Sequence, residues 1–201
     1  MTEPMTEPMT LLRVFALIGL LALASPAQAL DVVFPAGSRV GLAPPAGLAP
    51  SRNFLGFEDP RNEVAIVIAA LPPATYEDVQ QSTSAAELKK HGLTFEKRET
   101  HTHADGKAFL VIASQDADKT KLRKWIFAVG AADLTALVTV QVPDAAREAY
   151  PEAAIRAALA SVAIRPTVPD EEQLSLLPFR VGALAQFRLG GVIAGRALML
   201  T

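Results

Sequence analysis

Between Leu93 and Val142 the chain reverses three times with almost no residues to spare, and that spacing constrains the fold more than any other feature. "LTFEKRETHT" (93–102) leads into Asp105-Gly106, a pair favoured in tight hairpin turns. "KAFLVIAS" (107–114) returns, and "QDADKT" (115–120) reads as a polar loop. "KLRKWIFAV" (121–129) and "LTALVTVQV" (134–142) follow, joined across "GAAD". Parallel strands need a crossover of a dozen or more residues, so connections this short imply a four-stranded antiparallel meander. In its last strand Leu134, Ala136, Val138, Val140 and Val142 share one face. That face needs cover, and the next segment supplies it. Ile155, Ala158, Leu159 and Val162 recur at i, i+3, i+4 and i+7, behind Pro151 at an expected first helical position. Arg147 and Arg156 fall outside this stripe. A helix laid on an antiparallel sheet is an α+β layer arrangement.

Upstream, "EVAIVIAAL" (63–71) is short and β-branched, as expected of a buried strand. It forms a hairpin with "SRNFLGFEDP" across a turn at 59–62. Pro72-Pro73 ends it. Thr75 with Asp78, and Ser84 with Glu87, are capping pairs that predict helices near 76–81 and 85–91, the second stopped by Gly92. Residues 31–50 are rich in turn formers, with a short strand around Arg39 to Leu42. After "RPTVPDEEQ" the stretch 176–201 carries Arg180, Arg188 and Arg196 and no acid, and reads as two or three short strands with glycine turns. It loosely echoes residues 34–68, where "FPAGSRVG" leads to a hairpin. Residues 166–201 are therefore a linker and hairpin that either packs on the first sheet or opens a second, incomplete module.

The N-terminal stretch has the layout of a secretory signal. Leu11 to Ala24 is apolar except for Arg13, Pro26 breaks the run, and Ala27-Gln28-Ala29 places small residues at the −3 and −1 positions of a cut. The apolar core of about 11 residues is well below the ~20 a spanning helix needs. Met1, Met5 and Met9 are all possible starts, and Met9 gives the cleaner signal, without Glu3 and Glu7 ahead of Arg13. Residues 1–29 are thus expected to be a signal peptide, residues 30–165 the α+β domain, and the product periplasmic or secreted. No membrane span is expected after cleavage. A tethered protein retaining Leu11 to Ala24 is the other outcome.

Half of the residues are hydrophobic, enough for a sizeable core. The formal net charge is −2, and losing Glu3, Glu7 and Arg13 with the leader changes it by one unit. So weak a field calls for no nucleic-acid partner. There is no cysteine, which excludes disulfides, thiolate zinc sites and cysteine nucleophiles together.

Two clusters carry the candidate chemistry. His101 and His103 lie two apart on a strand, on one side with Glu99, where nitrogen and oxygen could grip a divalent metal. The plainer reading is a solvated strand end beside a turn. "KTKLRKW" gathers Lys119, Lys121, Arg123, Lys124 and Trp125; Lys121, Arg123 and Trp125 share a face that could hold an anion. The plainer reading is the polar start of a strand, with Asp116 and Asp118 offsetting the charge. Trp125, Phe127 and Phe109 are expected in the core. Ser82, Ser84, Ser114 and Ser161 sit in no G-x-S-x-G elbow, and no glycine-rich phosphate loop is present. No catalytic residue and no cofactor is assigned.

The order strand pair, helix pair, four-stranded meander, amphipathic helix resembles the PsbP-like fold. The resemblance rests on "GFEDPRNEVAIVIAAL", "AAELKKHGLTFEKRE", "GKAFLVIAS", "RKWIFAVG", "TALVTVQVP" and "AIRAALASV", over roughly residues 35–165. It is similar in pattern to uncharacterised exported bacterial proteins of that kind. The resemblance implies a binding or accessory protein of the cell envelope, with an unknown protein or small ligand as partner, rather than an enzyme. It transfers no functional residue, because fold does not license function. The rival is an envelope hydrolase or metal-dependent enzyme built at His101 and His103.

Overall fold

The structure is a computed structural model that describes residues 31–117, 120–182, 186–193 and 195–201. The expected leader at 1–29 lies outside the described residues, as do Asp118 and Lys119 of the polar loop. In chain order the elements begin with β1 (Val40–Gly41), β2 (Ala49–Pro50), β3 (Gly56–Asp59), β4 (Val64–Leu71), α1 (Thr75–Ser82) and α2 (Ala85–Lys90). The meander follows as β5 (Leu93–His103), β6 (Gly106–Ala117), β7 (Thr120–Gly130) and β8 (Thr135–Pro143). A 3-10 turn (Asp144–Ala146), α3 (Glu152–Ala160), β9 (Ala163–Ile164), α4 (Asp170–Ser175), β10 (Leu189–Ile193) and β11 (Ala197–Leu200) complete the order.

Seven strands form one antiparallel sheet in the order β2-β3-β4-β8-β7-β6-β5. The meander β5–β8 stands as its spacing requires. The β3–β4 hairpin joins through β4, which lies beside β8 with Ile66 opposite Val140 and Ile68 opposite Val138. The strands of the meander outrun their apolar runs. Gln115–Ala117 belong to β6 and Thr120 to β7, with Ala117 opposite Thr120. Polar side chains at an open sheet end face water, so the backbone ladder continues past them. The β5–β6 turn spans Ala104-Asp105, one residue earlier than expected, because His103 pairs with Gly106. Gly106 has φ +153°, and a Cβ there would overlap the Gly130 carbonyl. The glycine is required by the neighbouring strand as much as by the turn.

Helices cover both faces of the sheet. On one, Ile155, Ala158, Leu159 and Val162 pack on Val138, Val140, Val142, Trp125 and Phe127, all buried. Val40 and Leu42 close the same layer. Fully burying an aliphatic side chain such as Ile155 contributes about 1.5–3 kcal/mol. On the other face Leu88 of α2 joins Phe109, Val111, Ala113 and Ala128, with Tyr76 of α1 edge-on to Phe109. Residues 108–113 of β6 are buried without a break, which is why "AFLVIA" does not alternate. By contrast β4 is buried on one face only: Val64, Ile66 and Ile68 point inward, while Val67 is 43 % exposed. The uniform apolar run at 64–71 thus overstates its burial, since α1 and α2 pack over the other half of the sheet.

Two cap expectations shift. Ala74, not Thr75, is the N-cap of α1, without a side-chain bond; the Thr75 hydroxyl donates instead to the Pro72 carbonyl, 2.6 Å. Pro151 is the N-cap of α3 rather than its first residue. Ser84 does cap α2, accepting from the Glu87 N–H, and Gly92 follows that helix at φ +72°, where its missing Cβ avoids strain.

Within "RPTVPDEEQ" the expected linker contains α4, whose first turn holds Asp170, Glu171 and Glu172 against the positive end of the helix. Arg165 grips Glu172, which also accepts the Gly37 N–H at 2.7 Å. β10 and β11 pair with each other as the expected hairpin.

Candidate functional site

Strand period and one bulge determine which polar groups meet α3. Between Phe95 and Lys97 the β5–β6 register shifts. The extra residue sends Phe95 to the α2 face, opposite Ala113, and Lys97, Glu99, His101 and His103 to the α3 face, opposite Ile112, Leu110, Ala108 and Gly106.

At that end of β5, Arg156 of α3 binds Glu99 through two parallel hydrogen bonds, 2.9 and 3.0 Å, and Lys97 Nζ adds a third contact at 3.0 Å. Paired donors of this kind are among the stronger polar contacts. The bonds from Arg156 and then Lys97 hold the Glu99 carboxyl at about 2 against partial desolvation, and Glu99 in turn raises the Arg156 guanidinium. Arg156, expected outside the stripe, is therefore tied down, with a further bond to Glu152 at 2.8 Å. His101 Nε2 lies 3.4 Å from Glu99 and its ring stands edge-on to Phe127. His103 has both ring nitrogens engaged. Nε2 lies 2.8 Å from the Val162 carbonyl, and Nδ1 lies 3.2 Å from the Asp105 amide nitrogen and 3.3 Å from the Asp105 carboxylate. A cavity of about 150 Å³ lies beside them, floored by Leu110, Phe127 and Leu159. Among the described residues no three His, Asp or Glu side chains gather as a metal ligand set.

The second cluster lies at the other end of α3. Arg123 and Trp125 share the α3 face as alternation requires, while Lys121 stays exposed at the strand start opposite Asp116. Trp125 is 1 % exposed. The Arg123 guanidinium sits 5.5 Å from the indole centre, and its Nη2 faces Glu96 at 3.2 Å and Glu152 at 3.4 Å. Glu96 is the bulged residue. Three residues that sequence spacing did not single out for this site complete it: Arg147, Tyr150 and Glu152. They come from the chain between β8 and the first turn of α3, and no local period marks them. Tyr150 is buried and donates to Asp59 at 2.6 Å; burial and this carboxylate push its phenol up to about 12. Asn62 and Tyr150 hold Asp59 below the ordinary range.

These five residues, Arg123, Trp125, Arg147, Tyr150 and Glu152, line a cavity of about 200 Å³. Arg123 Nε and Trp125 Nε1 are buried with no hydrogen-bond partner, the two such side-chain atoms among the described residues. A buried donor left unmatched costs about 1–3 kcal/mol.

Besides the Ser84 cap, two more of these serines have structural partners. Ser161 Oγ accepts the Ala43 N–H and donates to the Ala158 carbonyl, and Ser82 Oγ donates to the Val79 carbonyl. Among the described residues no helix is long and apolar enough to cross a membrane.

No family model matches the sequence, and no curated protein matches it. Solved structures do match. PA94 of Pseudomonas aeruginosa, a protein of unknown function, aligns at TM-score 0.43 and 17% identity over 71% of this chain and 90% of its own. LpqN, involved in cell envelope biogenesis of Mycobacterium tuberculosis, aligns at TM-score 0.42 and 15% identity, covering 68% of this chain and 84% of its own. The cyanobacterial PsbP of Synechocystis sp. PCC 6803 aligns at TM-score 0.43 and 9% identity over 73% of this chain and 99% of its own. The chain is thus similar to a PsbP protein, to LpqN and to a bacterial protein of unknown function, a likeness of chain path that brings no functional residue with it.

Proposed function

We propose that this protein is an exported, non-enzymatic binding or accessory module of the bacterial cell envelope, periplasmic or secreted. One observation carries the reading: the groups best suited to chemistry are used as fasteners. Glu99 is taken by Arg156 and Lys97, and His103 spans the Val162 carbonyl and the Asp105 amide. Together they tie α3 to the edge strand β5. A metal-dependent or hydrolytic enzyme at His101 and His103 would have to displace Asp105 from Nδ1 before that nitrogen could act as ligand or base. The signal-like layout of residues 11–29 supports the export half of the proposal.

Expression of the full chain in a bacterial host tests it. The expected product is cut after Ala29, leaves the cell with the soluble periplasmic fraction, and gives no heat on calorimetric titration with zinc at micromolar protein. Retention of Leu11 to Ala24 in the membrane fraction would overturn the export reading. Zinc heat that disappears in the His101→Ala/His103→Ala double variant would overturn the non-enzymatic one.

A further inference from the structure

We infer that the cavity between β7 and the entrance of α3 is a binding site for the carboxylate end of a ligand, received by Arg123 and Trp125. The inference deepens the binding-module reading above and rests on it. Two buried N–H donors, Arg123 Nε and Trp125 Nε1, lack an acceptor, and both residues line the same cavity of about 200 Å³. Buried donors are nearly always satisfied in folded proteins, so a pair left open in one cavity calls for an acceptor that enters from outside. The neighbouring carboxylates do not fill these positions: Glu96 and Glu152 meet Arg123 at Nη2 rather than Nε, Glu152 is shared with Arg156, and Asp59 is taken by Tyr150 and Asn62.

The chemistry of the lining selects the ligand. A carboxylate offers two oxygens in one plane, one for each donor, and accepts without donating. Arg123 and Arg147 favour a negative charge, but Glu96 and Glu152 stand against Arg123 and Asp144 against Arg147. One charge is tolerated there better than the higher charge of a phosphate. The cavity is smaller than the ~300–1,000 Å³ that encloses a whole drug-sized ligand, so it takes a head group and leaves the remainder outside.

Trp125 is the single tryptophan of the chain, so its emission reports on this cavity alone. The purified protein is titrated at pH 7 and matched ionic strength with acetate, butyrate, inorganic phosphate and chloride. The expected result is a saturable change with acetate and butyrate, at concentrations at least tenfold below any change with phosphate, and none with chloride. Arg123→Lys keeps the positive charge facing Glu96 and Glu152 but loses the Nε–H, and should weaken the carboxylate response at least tenfold. If that variant folds poorly, Arg147→Gln at the exposed rim should weaken it several-fold. Three results would overturn the site: no saturable carboxylate response, an equal response to phosphate or chloride, or a response that neither variant moves. The first would mean that water satisfies the two donors, the second that the site takes any anion, and the third that the response arises elsewhere. Fractionation decides the export reading separately, so the two can fail independently.

Discussion

Arg156 and Arg123 both reach Glu152, at 2.8 and 3.4 Å, and they end in opposite states. Arg156 is matched on its other side by Glu99, whose carboxylate takes two of its nitrogens, and the histidines around it are tied to backbone and carboxylate. Arg123 keeps a buried Nε without an acceptor, beside an indole N–H in the same condition. One end of α3 is a closed polar clasp and the other an open one. Titratable groups that have satisfied one another hold structure, whereas donors left unmatched in a cavity hold a place for something else.

Both ends depend on the seating of the helix they share. Ile155 is fully buried at its centre. Ile155→Ala is expected to destabilise the protein by about 2–5 kcal/mol, read as a lower urea midpoint, and to abolish both the clasp and the carboxylate response. A smaller effect separates the two arginines. Arg156→Met takes the two short bonds from Glu99 and leaves it Lys97 and His101, whereas Arg123→Met removes an unmatched Nε–H and only the longer contacts of Nη2 to Glu96 and Glu152. The first should cost about 1 kcal/mol more than the second in urea unfolding, a modest figure because Arg156 is partly exposed and its pairs are screened. Equal costs would show that the two ends are not different in kind.

Acid gives the smallest and most selective effect. Glu99 is more acidic in the folded chain, at about 2, than its ordinary 4.5. Its contribution is therefore fully present above pH 4.5 and drains as the pH falls towards 2. The stability advantage of the native protein over Glu99→Gln, measured as the difference in Tm, should shrink across that window and be flat above pH 5. A difference that grows as acid is added would contradict the clasp.

How much of this was legible in the sequence follows from range. The meander, the α3 stripe and the Ser84 cap are written in neighbouring residues, through short connections, a helical period and a side chain three residues from the amide it meets. Alternation likewise put Arg123 beside Trp125 and the histidines beside Glu99. The pairing of β4 with β8, where Ala65 meets Gln141, has no local mark, because either edge of the meander could accept a strand. Nor does the bulge that reverses Phe95 and delivers Glu96 to Arg123. Arg147 and Tyr150 reach the cavity only after the chain beyond β8 folds back over β7, and the Tyr150–Asp59 bond joins residues far apart in the chain. Lys121 shows the converse. It shares the face of Arg123 and Trp125, yet it stands at the open start of β7, short of the cavity lining, so it remains exposed.

The indole N–H resonance of Trp125 reads the open end of α3 without interference, since one tryptophan gives one signal. In the protein alone it should be protected from solvent exchange, at the upfield position of an indole without a strong acceptor. Added acetate should move it downfield along a saturable curve that Arg123→Lys flattens. A signal that exchanges freely, or that holds one position at every acetate concentration, would show that this end of the helix is as closed as the other.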